Sequence, residues 1–195
     1  MNSKKKHQGN DPAVELACQI AKRRAALQRR DDLADHLINA CRTGSLPLVR
    51  TLVAARADPN SSRVLGTPLG EAISSRASVV LIEFLLGVGA NPNLLDQNGY
   101  SPLFLAADID YSAATLLLLS QGAEANAQHP ENGWTPLMAA AASGSVFSLI
   151  ELLGHGAITE LRSFDGLTAL DLAKANKQLT CARALLIHKK LVKLR

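Results

Sequence analysis

Apolar positions along the chain fall into short helical stretches separated by turn-forming residues, and Gly133 to Ala157 shows the pattern most fully. Thr135 precedes Pro136: its hydroxyl can accept from a free amide of the first helical turn, and the proline lacks an N–H where none is needed. A helix is therefore predicted to begin at Thr135. From Leu137 onward, Met138 and four alanines give it a thin surface that a neighbouring element can approach closely. Gly144 supplies the left-handed conformation that ends such a helix. Val146, Leu149, Ile150, Leu152 and Leu153 predict a second helix with one apolar face, stopped by Gly156. Neither helix can bury its face within so small a pair, so the unit requires stacked neighbours.

Those neighbours are present. The signal at residues 135–137 recurs as Thr67-Pro68-Leu69, Ser101-Pro102-Leu103 and Thr168-Ala169-Leu170, at spacings of 34, 34 and 33 residues. The closing signal recurs as Gly89-Ala90, Gly122-Ala123 and Gly156-Ala157, with Arg56-Ala57 as a degenerate first copy. With Gly89-Ala90-Asn91-Pro92-Asn93 and Gly122-Ala123-Glu124-Ala125-Asn126, the chain resembles the ankyrin repeat family from about residue 31 to 190. The resemblance implies an all-α solenoid of helix–turn–helix units with hairpin loops, in repeats at about 31–61, 62–94, 95–127, 128–161 and 162–195. It is also incomplete. The family usually places a histidine three residues after the threonine, where it bonds between repeats; here those positions are Ile38, Gly70, Phe104, Met138 and Asp171. The glycine between the helices is kept at Gly44 and Gly144 and replaced by Arg76, Asp110 and Lys177. Repeat two has an extra residue before Leu85-Leu86 and a shortened turn before Thr67, so it is expected to be locally irregular.

In repeat one, Leu37, Ala40, Cys41, Gly44, Leu48, Val49, Leu52 and Val53 fall in core register. Leu116 to Leu119 would be a strange surface, but a middle helix touching repeats on both sides can bury most of them. In repeat five, Thr168 and Asp171 are spaced as a capping box.

Composition agrees with this architecture. The 195-residue chain is 47% hydrophobic but only 4% aromatic, which suits Leu/Ala-rich helix stacks. Charge separates along it: residues 1–30 carry a net +6, residues 174–195 a net +7, and residues 31–173 a net −9. Residues 1–10 are expected to be a disordered basic tail. Residues 11–30 are expected to form a basic capping helix, with Ala13, Leu16, Ala17, Ile20 and Leu27 on one side. The KRR and RRD segments there could otherwise serve nuclear import or an acidic contact. No apolar run is long enough to span a membrane, and no secretory or lipidation signal is expected. Cys18, Cys41 and Cys181 lie far apart, without metal or disulfide spacing, and read as reduced thiols of an intracellular protein, cytoplasmic or nuclear.

The histidines, His7, His36, His129, His155 and His188, are scattered, and none begins a metal motif or nucleophile arrangement. No catalytic residue, metal or cofactor is expected. His129 and His155 read as solvent-exposed loop residues. Nucleic-acid or anionic-surface binding through the basic ends is the alternative role, disfavoured by the acidic body and the lack of interleaved aromatics.

The leading expectation is a monomeric scaffold or adaptor that binds a protein partner. In ankyrin-like stacks the hairpin tips and first helices line a concave face. The resemblance therefore implies that Tyr100, Trp134 and Leu167 point along it, with Phe164 nearby. Asp96, Asn98, Asp108, Asp110, Glu131 and Asn132 are assigned to the same strip, which would suit a basic or amphipathic segment. Trp134 could instead staple one hairpin onto the next. A face of five repeats could bury about 800 Å² per partner.

Overall fold

Each hydroxyl residue that opens a repeat caps a helix. Thr67, Ser101, Thr135 and Thr168 accept from the backbone N–H three residues on, at 3.0, 3.1, 3.3 and 3.3 Å. The structure is a computed structural model, and it describes residues 28, 30–64 and 66–193. The tail at 1–10, most of the helix expected at 11–30, and Cys18 lie outside the described residues.

Ten helices follow in the described residues: α1 (30–42), α2 (Leu46–Ala54), α3 (Pro68–Ser74), α4 (Val79–Gly87), α5 (Pro102–Asp108), α6 (Ser112–Ser120), α7 (Pro136–Ser143), α8 (Val146–Gly154), α9 (Ala169–Ala175) and α10 (Leu179–Lys193). They form consecutive antiparallel pairs. The inner helices α3, α5, α7 and α9 pack on one another in order, and the outer helices α4, α6, α8 and α10 form a second layer. Among the described residues there is no strand, only an isolated bridge between Arg63 and Gly66.

Most of these helices have seven to nine residues, well short of the roughly 12–15 at which isolated helices become even marginal in water. Stacking must therefore hold them. The buried core is continuous from Leu37 to Leu185. Pro136 to Ala141 of α7 are all buried, and the alanine run lets α5 and α9 close on it from either side. Leu137, Leu149 and Leu152 are fully enclosed, each contributing about 1.5–3 kcal/mol by removal from water.

Two apolar positions depart from expectation. Leu48 is exposed, because the buried stripe of α2 runs through Leu46, Val49, Leu52 and Val53, and residue 48 falls off it by one helical step. Ile150 is 53% exposed. Ser148 of the same helix is instead fully buried, its hydroxyl 3.2 Å from that of Thr115. Of Leu116 to Leu119, only Leu116 remains exposed. The extra residue of repeat two lies in the turn between α3 and α4, where Ser78 caps α4. The preceding hairpin closes tightly between Arg63 and Gly66, with bonds of 3.0 and 2.7 Å.

Cys41 and Cys181 are free and buried. Burial, reinforced by the Glu71 charge, pushes the Cys41 thiol up to about 12, and burial and Asp110 raise that of Cys181. Both are kept as neutral filler rather than nucleophiles.

Candidate interaction surface

The hairpin ahead of each inner helix is closed by its own backbone. Asp96 N–H donates to Tyr100 O at 3.0 Å, His129 N–H to Trp134 O at 2.8 Å, and Ser163 N–H to Leu167 O at 2.9 Å. Side chains fix the tips: Asp96 Oδ1 accepts from Asn98 N–H and Tyr100 N–H, both at 2.9 Å, and Asn132 Oδ1 accepts from Trp134 N–H at 2.9 Å. These tips are joined to one another. His129 Nε2 donates to Asn98 O at 2.8 Å, and Phe164 N–H donates to Asn132 O at 2.9 Å. Gly133 is required at that second junction: its φ is +71°, and a Cβ there would lie 2.6 Å from the Phe164 ring. The result is one continuous row of tips.

Of the ten residues assigned to the strip, Asp96, Asn98, Tyr100, Glu131, Asn132, Trp134, Phe164 and Leu167 belong to this row. Phe164 is 65% exposed, and Leu167, Asn98 and Glu131 are exposed as well. Tyr100 and Trp134 are half-buried, and Trp134 packs against the core. Asp108 and Asp110 are not with them. They lie at and just beyond the C-terminal end of α5, about 10 Å along the helix from the tips. There Asp108 accepts from the Ser143 hydroxyl at 2.5 Å and Asp110 from Ser148 N–H at 2.8 Å, so the turn geometry commits them to the next repeat.

His129 also differs from expectation. It is 5% exposed, with its ring 4.6 Å from Tyr100 and 6.1 Å from Phe104, between centroids. With hydrogen on Nε2, the ring donates to Asn98 O and accepts from Glu131 N–H through Nδ1 at 3.3 Å, so both nitrogens are satisfied. Burial of an imidazole between two rings is favourable once both polar atoms are paired. His155 is exposed, as expected. Among the described residues no three His, Cys, Asp or Glu side chains come together to hold a metal ion, and no helix is long and apolar enough to cross a membrane.

A family model described as ankyrin repeats (3 copies) matches residues 37–129 and 107–194. The chain belongs to the ankyrin repeat family. The ankyrin repeat protein nuc-2 of Neurospora crassa is 33% identical over 188 residues, 85% of this chain and 17% of that protein. The RelA-associated inhibitor of Mus musculus is 33% identical over 102 residues, 52% of this chain and 12% of that protein. Tyrosine-protein kinase HTK16 of Hydra vulgaris is 36% identical over 94 residues, 48% of this chain and 12% of that protein. The chain thus spans a small fraction of each of these relatives.

This ankyrin stack lacks a histidine three residues after each opening threonine or serine and uses an asparagine ladder on its hairpin edge. Asn60 Nδ2 donates to Gly89 O at 2.9 Å, and its Oδ1 accepts from Asn91 N–H at 2.7 Å. Asn93 treats Gly122 O and Glu124 N–H in the same way, at 3.1 and 2.8 Å. Asn126 does so with Gly156 O and Ile158 N–H, also at 3.1 and 2.8 Å. The 33-residue spacing of these asparagines was visible in the sequence, but their reach into the following repeat was not. Exposed Val64 and Leu95, in the loops ahead of α3 and α5, also escaped the sequence reading, having no aromatic signal.

Proposed function

We propose that the chain is a non-catalytic scaffold or adaptor inside the cell, whose row of hairpin tips docks a basic or amphipathic segment of a protein partner. The observation that carries this reading is the continuity of the row: tips tied to each other through Asn98–His129 and Asn132–Phe164 present one surface rather than separate loops. Phe164 and Leu167 are its exposed apolar anchors, Tyr100 and Trp134 support it from beneath, and Glu131 supplies charge at its edge. Asp96, Asn98 and Asn132 set the shape of the tips, while Asp108 and Asp110 extend acidity to the far end of the inner helices. Membership of a family of stacked repeats and two free buried thiols support the interaction role and a reducing compartment.

Affinity capture from cell lysate tests this, comparing the wild-type chain with a Phe164→Ser, Leu167→Ser variant matched for melting temperature. A protein retained by the wild type and lost by the variant is the expected result. Identical capture by both chains would sink the proposal.

A further inference from the structure

Besides Phe164 and Leu167 at the hairpin tips, the last repeats expose a second group of hydrophobic side chains on the outer layer. Between α8 and α10 lies an open groove of about 580 Å³, walled by Ile150, Leu153 and Gly154 on one side and by Ile187, Leu191 and Val192 on the other. Ile150, Ile187, Leu191 and Val192 are each more than half exposed. On α8 the wall residues stand at i, i+3 and i+4, and on α10 at i, i+4 and i+5, so each helix turns one continuous face inward. On α10 this face is separate from the one formed by Cys181, Ala182 and Leu185, which is already buried. Gly154 leaves the α8 wall low: a Cβ there would meet nothing within 4 Å.

Charge selects the occupant. α10 carries no acidic residue, and Arg183 and Lys190, seven residues apart and both exposed, flank the groove beside Ile187. Lys189, on its other flank, pairs with Glu160 at 2.9 Å. A second copy of this chain would bring like charges together across the contact. A bilayer is a plane with nothing to fill a walled groove, whereas an α-helix of about 10 Å diameter is a rod that can.

We propose that the α8–α10 groove is a docking site for an amphipathic helix of a partner protein, its apolar face lying on Ile150, Ile187 and Leu191 and its flanking Asp or Glu residues meeting Arg183 and Lys190. The site is independent of the hairpin tips. Its occupant is read as anchors at i, i+3 or i+4, and i+7.

The probe is a fluorescein-labelled synthetic helix of about eighteen residues, with leucines at that spacing and glutamates on both flanks, paired with a peptide carrying lysines in their place. Three parallel measurements accompany it: Gly154→Leu, which extends the α8 wall into the open groove; Arg183→Glu, Lys190→Glu, which reverses the rim; and binding to phosphatidylcholine–phosphatidylserine vesicles. The glutamate peptide should bind the wild type at least about ten-fold more tightly than the lysine peptide, a difference of about 1.4 kcal/mol. Gly154→Leu should weaken it by about the same factor, and the rim reversal should exchange the preference. Both peptides failing to bind, Gly154→Leu binding as the wild type, or no exchange on rim reversal would overturn the proposal. So would vesicle binding, or a wild-type dimer in sedimentation, that Gly154→Leu abolishes. The rim variant changes only exposed side chains, so the test stands even if Gly154→Leu folds poorly.

Discussion

The two edges of the stack solve the same problem differently. On the hairpin edge one residue type recurs in one role: Asn60, Asn93 and Asn126 each clamp the glycine turn of the repeat that follows. On the opposite edge, where the inner helix turns into the outer one, the backbone again demands a left-handed residue, with φ of +69° at Gly44, +54° at Arg76, +52° at Asp110, +79° at Gly144 and +59° at Lys177. There the residue changes every time, and so does the contact that goes with it. The Arg76 guanidinium donates to Ile109 O and lies 5.8 Å from the Tyr111 ring, whose hydroxyl donates to Ala77 O at 2.6 Å. Asp110 accepts from Ser148 N–H. A repeated residue marks a repeated interaction. At Arg76 and Asp110 the left-handed residue comes with its own contact to the next repeat, set against a conformational cost of about 1–2 kcal/mol.

The largest test of this contrast is on the ladder. Asn93→Ala removes both bonds to repeat three and leaves Gly122 O and Glu124 N–H without their protein partner. At about 1 kcal/mol per bond, the expected loss is about 2 kcal/mol, read from the urea midpoint. A loss under about 0.5 kcal/mol would show that water replaces the asparagine freely and that the ladder is only a spacer.

Smaller effects separate the turns. Gly144→Ala forces a Cβ into the left-handed region, 2.4 Å from the Gln178 side-chain oxygen, and should cost about 1–2 kcal/mol. Lys177→Gly relieves the same strain at the price of about 0.5–1 kcal/mol of extra chain entropy, for a net gain of about 0.5 kcal/mol. Arg76→Gly relieves equal strain but also loses the contacts to Ile109 and Tyr111, so it should give no gain. Equal melting shifts for Arg76→Gly and Lys177→Gly would break the proposed link between residue type and compensating contact.

The same contrast explains what the sequence made legible. Helix starts at Thr67, Ser101, Thr135 and Thr168 could be read because hydroxyl capping depends only on residues within one turn. The tip residues were assigned through the resemblance to the family, and in the structure each tip closes on its own backbone. The bonds that tie Asp108 and Asp110 to the next repeat were not legible because their partners, Ser143 and Ser148, lie more than thirty residues away. Ile150 was expected in the core and the burial of Ser148 was not foreseen for a related reason: burial on an outer helix is decided by the neighbouring repeat, which at Ser148 supplies Thr115. His129 was read as solvent-exposed because nothing local announces that Tyr100 and Asn98 will close over it.

The finest test lies within the hairpin edge itself. Four repeat openings share hydroxyl caps, but only Thr168 has an acid three residues on; the corresponding positions are Gly70, Phe104 and Met138. Hydrogen bonds from the Thr168 hydroxyl and backbone N–H hold the Asp171 carboxyl below its usual range, outweighing an opposing effect of burial, with smaller lowering contributions from the Lys174 and Arg162 charges. A carboxyl depressed on folding contributes stability above its unfolded value of about 3.9, and that contribution disappears as pH falls through the lower folded value. Asp171→Asn cannot titrate. The stability difference between wild type and Asp171→Asn should therefore be greatest near pH 7 and shrink as pH falls below about 4, while the other carboxylates titrate alike in both chains and cancel. Urea midpoints for the pair across that range decide the matter: a difference that stays constant with pH would show that the charge on Asp171 plays no part in the cap, leaving repeat five held at its start by the same neutral hydroxyl as the other three.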